Sequence, residues 1–282
     1  MFPQTSIEWF DLLPHQHSVA EDSRWHERQV QMEDWYSDLV ADPQFAGKSL
    51  MTDYRPHASY MANLSGRVLD IGGGVGIVRH FLTDDTSYIA LDPSLSWLKV
   101  EWKALAGFFP CLATLPDFVR GIGEYMPFPQ ESFDAVVCLW SLNHARQPQP
   151  VIQEVARVLR PGGRFLVVLE DMVPRWRDLL DRRFPANVIV DNVFNIQMAS
   201  ERRARQFLIL QRLRHRDWPL QSDHLRIREA DLLTWMTGHF DLLCRRWATQ
   251  FLTLEFERVE RKQLSTNHGR ILRLGNDGNT TI

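Results

Sequence analysis

Asp70 stands two residues ahead of a spaced glycine series in Val68-Leu69-Asp70-Ile71-Gly72-Gly73-Gly74-Val75-Gly76. Glycines directly after a strand let the backbone turn sharply and approach a ligand closely. A helix that follows directs its first N–H groups at that ligand. In the dinucleotide-binding pattern a further glycine would fall at Ile77, so the spacing here is a different one. Asp70 adds negative charge beside the turn, from which a pyrophosphate gains nothing and a cationic ammonium group gains attraction. Asp92 closes the next apolar run, 20 residues after Gly72. A carboxylate there can accept hydrogen bonds from both hydroxyls of a ribose. These residues together describe a ligand that carries a ribose and an ammonium group.

The elements that must position them alternate. RVLDI, SYIALD, FDAVVCLW (133–140) and RFLVVLE (164–170) are apolar runs of strand length. Residues 75–83, a stretch to about Ala106 and VIQEVARVL (151–159) read as helical, the last stopped by Pro161-Gly162-Gly163. Such alternation implies βαβ units and a parallel sheet. Residues 171–223 interrupt it with ten Arg and seven Asp/Glu. A helix near 229–237 follows, then FDLLCRRW and TQFLTLEFERV, two strands so closely joined that they must be antiparallel neighbours.

In these segments the chain resembles class I S-adenosylmethionine-dependent methyltransferases. The nearest branch is the one that includes ubiquinone and menaquinone methyltransferases and many small-molecule enzymes. VLDIGGGVG is similar to the family's cofactor loop, ALDPS to its ribose motif and GEYMPFPQESFDAVVC to its third motif. LNHARQPQPVIQEVARVLRPGGRFLVV is similar to the stretch that closes its core. The likeness spans about 66–170 strongly and 224–258 loosely. It implies an α/β, Rossmann-like seven-stranded sheet with an antiparallel last strand and helices on both faces. The cofactor, S-adenosylmethionine, would lie across the carboxyl ends of the strands, with S-adenosylhomocysteine as product. The implied contacts are Asp70, Gly72, Gly73, Gly74 and Gly76 in the loop, and Asp92, Pro93 and Ser94 at the ribose. Ile122, Gly123, Glu124 and Leu139 complete the set. At Ile122 the family often has an Asp that meets the adenine, which here leaves the backbone of Gly123 and Glu124 for that contact.

A sulfonium already activates its methyl group, so the protein must align a nucleophile in line with the S–CH3 bond and exclude water. A base is needed only if the acceptor must lose a proton. The candidates are His224, His144 and Tyr54, with Asp53 behind them. The expected acceptor is an oxygen or nitrogen of a specialised metabolite, with a carbon of a quinone-like ring as the nearest alternative. An RNA or peptide methyltransferase and a non-catalytic binder of the cofactor are the remaining classes.

Composition narrows the rest. The chain has 282 residues, a net charge of -3 and 44% hydrophobic content, enough to bury a core and without the basic excess common in nucleic-acid binders. It has no apolar run of membrane-spanning length and no secretory pattern at its start. Cys111, Cys138 and Cys244 are scattered, so neither disulfides nor a metal site is expected, and a cytoplasmic location fits. The expected partner is a small-molecule acceptor, with no nucleic acid and no membrane, in a monomer or homodimer. Residues 1–65, with ten Asp/Glu against four Lys/Arg, read as an N-terminal helical lid segment. Residues 66–258 read as the methyltransferase core, within which 171–223 is a helical insert expected to build the acceptor pocket or lid. Residues 259–282 read as a polar, disordered tail. The six arginines within 202–216 read first as a solvated face over Phe207, Leu210 and Leu213, and second as a site for an anionic acceptor.

Overall fold

The computed structural model describes residues 19–98, 100–214, 217–220 and 224–260. Most of the expected tail therefore lies outside the described residues. Seven strands form one sheet: β1 (Arg67–Ile71), β2 (Ser87–Asp92), β3 (Asp117–Arg120), β4 (Phe133–Leu139), β5 (Leu159–Leu169), β6 (Phe240–Ala248) and β7 (Phe251–Arg258). Their order is β3-β2-β1-β4-β5-β7-β6. The first five run parallel, and β7 runs antiparallel to both β5 and β6. The winding direction changes between β1 and β4. That switch opens a crevice at the carboxyl ends of these strands, where open α/β sheets take their ligands.

Period-two alternation sends side chains to two cores. Leu69, Val136, Cys138, Phe165, Val167 and Leu254 enter one, against α4 (Pro148–Val158) and α8 (Glu229–Met236). Val68, Ala135, Val137, Leu166 and Val168 enter the other, where Met61 and Leu64 meet them. Three helices precede the sheet: α1 (Val19–Val40), α2 (Pro43–Tyr54) and α3 (Ala58–Met61). Asp42 caps α2, its Oδ1 accepting from the amides of Gln44 and Phe45 at 3.1 Å each, and Pro43 sets the first helical φ.

Several boundaries differ from the sequence reading. In place of a helix over 75–83 there is a short 3-10 turn, Ile77–Phe81. It starts from a left-handed Gly76 and contains β-branched Ile77 and Val78, which disfavour longer helix. The stretch before Ala106 holds the 3-10 turns Ser96–Leu98 and Val100–Leu105. β3 was not legible, because its four residues are half-buried or exposed and make no apolar run. β5 begins at Leu159 and runs through Pro161-Gly162-Gly163, five residues earlier than expected, while α4 begins at Pro148.

The insert holds α5 (Trp176–Leu180), α6 (Ala186–Phe194) and α7 (Glu201–Leu213). Leu179, Ile189, Val190, Ala204 and Leu208 join the first core. On α7 the buried face is Ala204 and Leu208 with Phe207 beside them; Leu210 and Leu213 are exposed, contrary to the expected apolar face. Arg205 is structural, donating to the carbonyl oxygens of Leu179, at 2.8 Å, and Asp181. Arg245 of β6 locks the insert down. Its Nη1 and Nη2 meet the two oxygens of Asp178 at 2.6 and 2.7 Å, and its Nε meets Glu229 at 2.6 Å. The pair of carboxylates holds the guanidinium pKa above its ordinary value despite partial burial.

Replacing Arg245 strands two largely buried carboxylates on α5 and α8. Arg245→Met should therefore cost about 2–3 kcal/mol of stability, less than a fully buried pair would. Urea unfolding at neutral pH measures it, and an unchanged midpoint would show that the network is dispensable.

Candidate functional site

β1, β2 and β4 end together. At Gly72 the backbone turns with φ at 69°, and its N–H donates to Leu91 O at 2.8 Å. A Cβ on Gly72 would lie 2.3 Å from that of Ser141, whose hydroxyl donates to Ile71 O at 2.6 Å. No side chain fits between these strand ends. Gly73 is equally crowded, since a Cβ there would come within 2.9 Å of the Asp70 side chain and the Tyr88 hydroxyl.

Asp70 is 2% exposed and accepts the Tyr88 hydroxyl at 2.6 Å. Burial pushes its pKa up to about 7; the Tyr88 hydrogen bond opposes this and the nearby Asp92 charge adds to it. Asp92 is 5% exposed. Its Oδ1 accepts from Ser94 N and Trp97 Nε1, both at 2.9 Å, and its Oδ2 accepts from Gly74 N at 3.2 Å. Burial raises this carboxyl also to about 7, against those three hydrogen bonds and with the help of Glu33.

Asp92 lines a cavity of about 480 Å³, and Asp70 is not among the lining residues. Gly72, Gly73, Gly74, Pro93, Ser94, Ile122, Gly123, Glu124 and Leu139 line it as well, so nearly all the expected cofactor residues come together. Gly76 does not line it; its left-handed φ of 80° and its amide bond to Gly73 O, at 2.8 Å, close the turn. Ile122 presents an apolar side chain, and the Glu124 carboxylate accepts Gln147 N at 3.0 Å, tethering the loop before α4.

The other end of the cavity carries His144, Glu170 and His224, with Asp53 and Tyr54 opposite. His144 lies in a 3-10 turn after β4, and Glu170 follows β5 directly. Asn143 stitches this end: its Nδ2 donates to the carbonyl oxygens of Glu170 and Leu225, and its own carbonyl accepts Leu225 N at 2.8 Å. His224 Nδ1 lies 2.6 Å from Asp171 Oδ2, and its Nε2 lies 3.1 Å from Glu170 Oε1. His144 Nε2 lies 3.7 Å from the same Glu170 oxygen, its ring perpendicular to that of His224 at 4.5 Å between centroids. Burial raises the Glu170 pKa, but the hydrogen bonds of His144 and His224 outweigh it and hold the group below its ordinary value. Asp53 is pushed up to about 6 by burial and by the charge of Glu170. Tyr54 is held well above its ordinary value by burial, so its phenol stays protonated at neutral pH. Glu170 and Asp171 were missed in the sequence, although RFLVVLE ends at the same sheet edge as Asp70 and Asp92.

α1 covers the opening. Trp25, Gln29, Met32, Glu33 and Tyr36 line the cavity. Glu33 accepts the Ser94 hydroxyl, and Arg146 lies over the Trp25 ring at 4.4 Å. Tyr36 packs edge-on against Trp97 at 4.6 Å. Among the described residues, none of 171–220 lines the cavity, and neither does any Lys or Arg.

Residues 69–167 match the family described as "Methyltransferase domain". A demethylmenaquinone methyltransferase of Paenarthrobacter aurescens is 34% identical over 127 residues, 43% of this chain and 47% of that protein. A ubiquinone/menaquinone biosynthesis C-methyltransferase of Pseudomonas savastanoi pv. phaseolicola is 36% identical over 106 residues, 36% of this chain and 41% of that protein. The chain thus spans under half the length of these relatives. Among solved structures, the 1,6-didemethyltoxoflavin-N1-methyltransferase of Burkholderia thailandensis, with 1,6-didemethyltoxoflavin and S-adenosylhomocysteine bound, is 16% identical. It covers 83% of this chain and 90% of that one, at a TM-score of 0.48.

The raised acids set a pH dependence. Asp70 can attract an ammonium group, and Asp92 can accept from two ribose hydroxyls as a carboxylate, only when ionised, which holds above about pH 7 and is lost as pH falls through it. S-adenosylhomocysteine affinity should drop by up to about tenfold per pH unit per carboxylate below neutrality. Binding at pH 7 should release protons, because the bound ligand lowers both pKa values. Calorimetry in two buffers of different ionisation enthalpy reads the release, and flat affinity from pH 8 to 5.5 would contradict it.

Proposed function

We propose that this chain, in which residues 69–167 make up a class I S-adenosylmethionine-dependent methyltransferase domain, transfers the methyl group to a small-molecule acceptor. One observation carries the reading: a single cavity joins the Gly72–Gly74 turn and Asp92 to the His144–Glu170–His224 group. In this reading Asp70 faces the ammonium of the methionyl portion and Asp92 the ribose hydroxyls. Pro93, Ser94, Ile122, Gly123, Glu124 and Leu139 enclose the adenosine. The sulfonium then points toward the histidines. An acceptor lone pair attacks the methyl carbon from the side opposite sulfur, the C–S bond breaks and its electron pair stays on sulfur. The acceptor's proton leaves at the histidine end. Alignment and exclusion of water supply most of the rate, and α1 is the segment placed to close the site.

Asp92 also organises its own loop. A carboxylate has about four lone-pair positions, and three are taken by Ser94, Trp97 and Gly74. Two ribose hydroxyls therefore require one of these donors to let go, and Trp97 is the one side chain among the three. The cavity walls hold Glu33, Asp53, Asp92, Glu124 and Glu170 and no Lys or Arg among the described residues. That balance favours a neutral or cationic acceptor over an anionic one. A carbon acceptor on a quinone-like ring is the second reading, favoured by the names of the two curated relatives.

Two substitutions separate the ends of the cavity. Asp92→Ala should weaken S-adenosylhomocysteine binding at least about tenfold, the worth of charged hydrogen bonds, and unchanged binding would remove the ribose assignment. His224→Ala should cut turnover about 100-fold or more, the usual worth of a group handling the acceptor's proton, with S-adenosylhomocysteine affinity retained. Near-normal turnover would take His224 out of the chemistry. Transfer of labelled methyl across metabolite, peptide and RNA pools identifies the acceptor class, and NMR of the product separates carbon from oxygen or nitrogen methylation.

A further inference from the structure

We infer that His144, Glu170 and His224 form a binding site for one divalent transition-metal ion at the acceptor end of the cavity. Nothing in the cysteine or histidine spacing of the sequence announces it, because the three residues come from three distant segments. From the reading above the inference takes only the position of the acceptor beside His224.

The geometry of the donors carries the argument. One imidazole nitrogen from each histidine and one Glu170 oxygen lie within 4.8 Å of one another. Nε2 of His224 is 3.1 Å and Nε2 of His144 is 3.7 Å from Glu170 Oε1. Ligands about 2.0–2.2 Å from a common ion stand about 3–3.6 Å apart, so the His224–Glu170 separation already suits a shared ion and the His144–Glu170 separation is just outside it.

The tautomer of His224 points the same way. Asp171 Oδ2, at 2.6 Å, is an acceptor, so Nδ1 carries the hydrogen and Nε2 presents a lone pair when the ring is neutral. That lone pair faces a carboxylate oxygen, which is also an acceptor. Two acceptors at 3.1 Å need a positive centre between them, and either a proton or a metal ion supplies it. Asp171 stands where a second carboxylate behind a ligating histidine fixes the ring and raises its basicity.

The surroundings agree. Both histidines are buried while Glu170 reaches the cavity. No Lys or Arg among the described lining residues competes for Glu170, and Asp53 adds a further acid across the cavity. Two imidazoles with one carboxylate suit zinc or ferrous iron far better than magnesium, which prefers an all-oxygen shell. Three ligands leave coordination positions open toward the cavity, where an acceptor oxygen could bind as its anion.

The test uses the full chain, stripped with a chelator and titrated with Zn2+ against a chromogenic competitor at pH 7.5. Co2+ is added in parallel for its ligand-field absorption. One equivalent of Zn2+ should bind with micromolar or tighter affinity, and Co2+ should give a spectrum of mixed nitrogen and oxygen ligation. His144→Ala and His224→Ala should each weaken binding about 100-fold, and Asp171→Asn about tenfold. Glu170→Gln, nearly isosteric, serves if a histidine variant fails to fold, and it too should lose most of the affinity. No saturable binding to the wild type would overturn the site, as would binding that survives Glu170→Gln or joint loss of both histidines. S-adenosylhomocysteine titrated into the metal-free protein judges the methyl-transfer reading separately. Retained nucleoside binding without Zn2+ binding defeats only the metal site, and the reverse pattern defeats only the transfer reading.

Discussion

Two carboxylates kept out of water side by side are the constraint around which the rest is built. Asp70 and Asp92 end adjacent strands of a parallel pair, and each raises the cost of ionising the other or is raised by a neighbouring acid. The Tyr88 hydroxyl, the Trp97 indole and the amides of Gly74 and Ser94 are all spent on them. The glycines follow from the same demand. A side chain at Gly72 or Gly73 would strike Ser141 or Asp70 itself, so the turn that brings the carboxylates to the edge cannot be made with any other residue.

What the sequence made legible follows the strength of its local signals. β1, β2, β4 and the β6–β7 hairpin are apolar runs with clear ends, and Asp70 and Asp92 sit at fixed distances from a glycine turn. Four-residue β3, with no residue fully buried, has no such signal and is formed because β2 offers it an edge. The 3-10 turns before β3 were read as helix because their apolar residues recur at helical spacing, but tertiary packing around Trp97 and Trp102 fixes them instead. The histidine end of the cavity was half legible. His144 and His224 stand out as residue types, whereas Glu170 and Asp171 matter only because β5 lies beside β4 and because residue 224 returns to Asn143. Such contacts join residues as far apart in sequence as Asn143 and Leu225 and leave no local mark.

The residues beyond the sheet divide by role in packing. α1 and α2 lie across the carboxyl edge and bring Glu33, Tyr36 and Asp53 to the cavity. The segment that holds α5, α6 and α7 packs on the first core and is pinned by Arg245. The acidic N-terminal helices thus sit at the mouth of an already acidic cavity, while Arg205 and Arg175 of the insert are used on carbonyl oxygens and carboxylates elsewhere. Charge that looks like a ligand signal in the sequence is here spent on structure.

The position of β7 has a consequence for the order in which the chain can assemble. It is the last strand, yet it fills the gap between β5 and β6. Thr253 on that strand bonds the buried His57, 196 residues earlier, and Phe251 packs beside Trp140 at 5.2 Å. During synthesis the parallel half of the sheet can pair as it emerges, but the β5 edge stays bare until residue 258 has left the ribosome. Closing so long a loop is slow, so the nascent protein spends its synthesis with an open sheet edge. That interval is the period in which it is most exposed to misassembly with its neighbours.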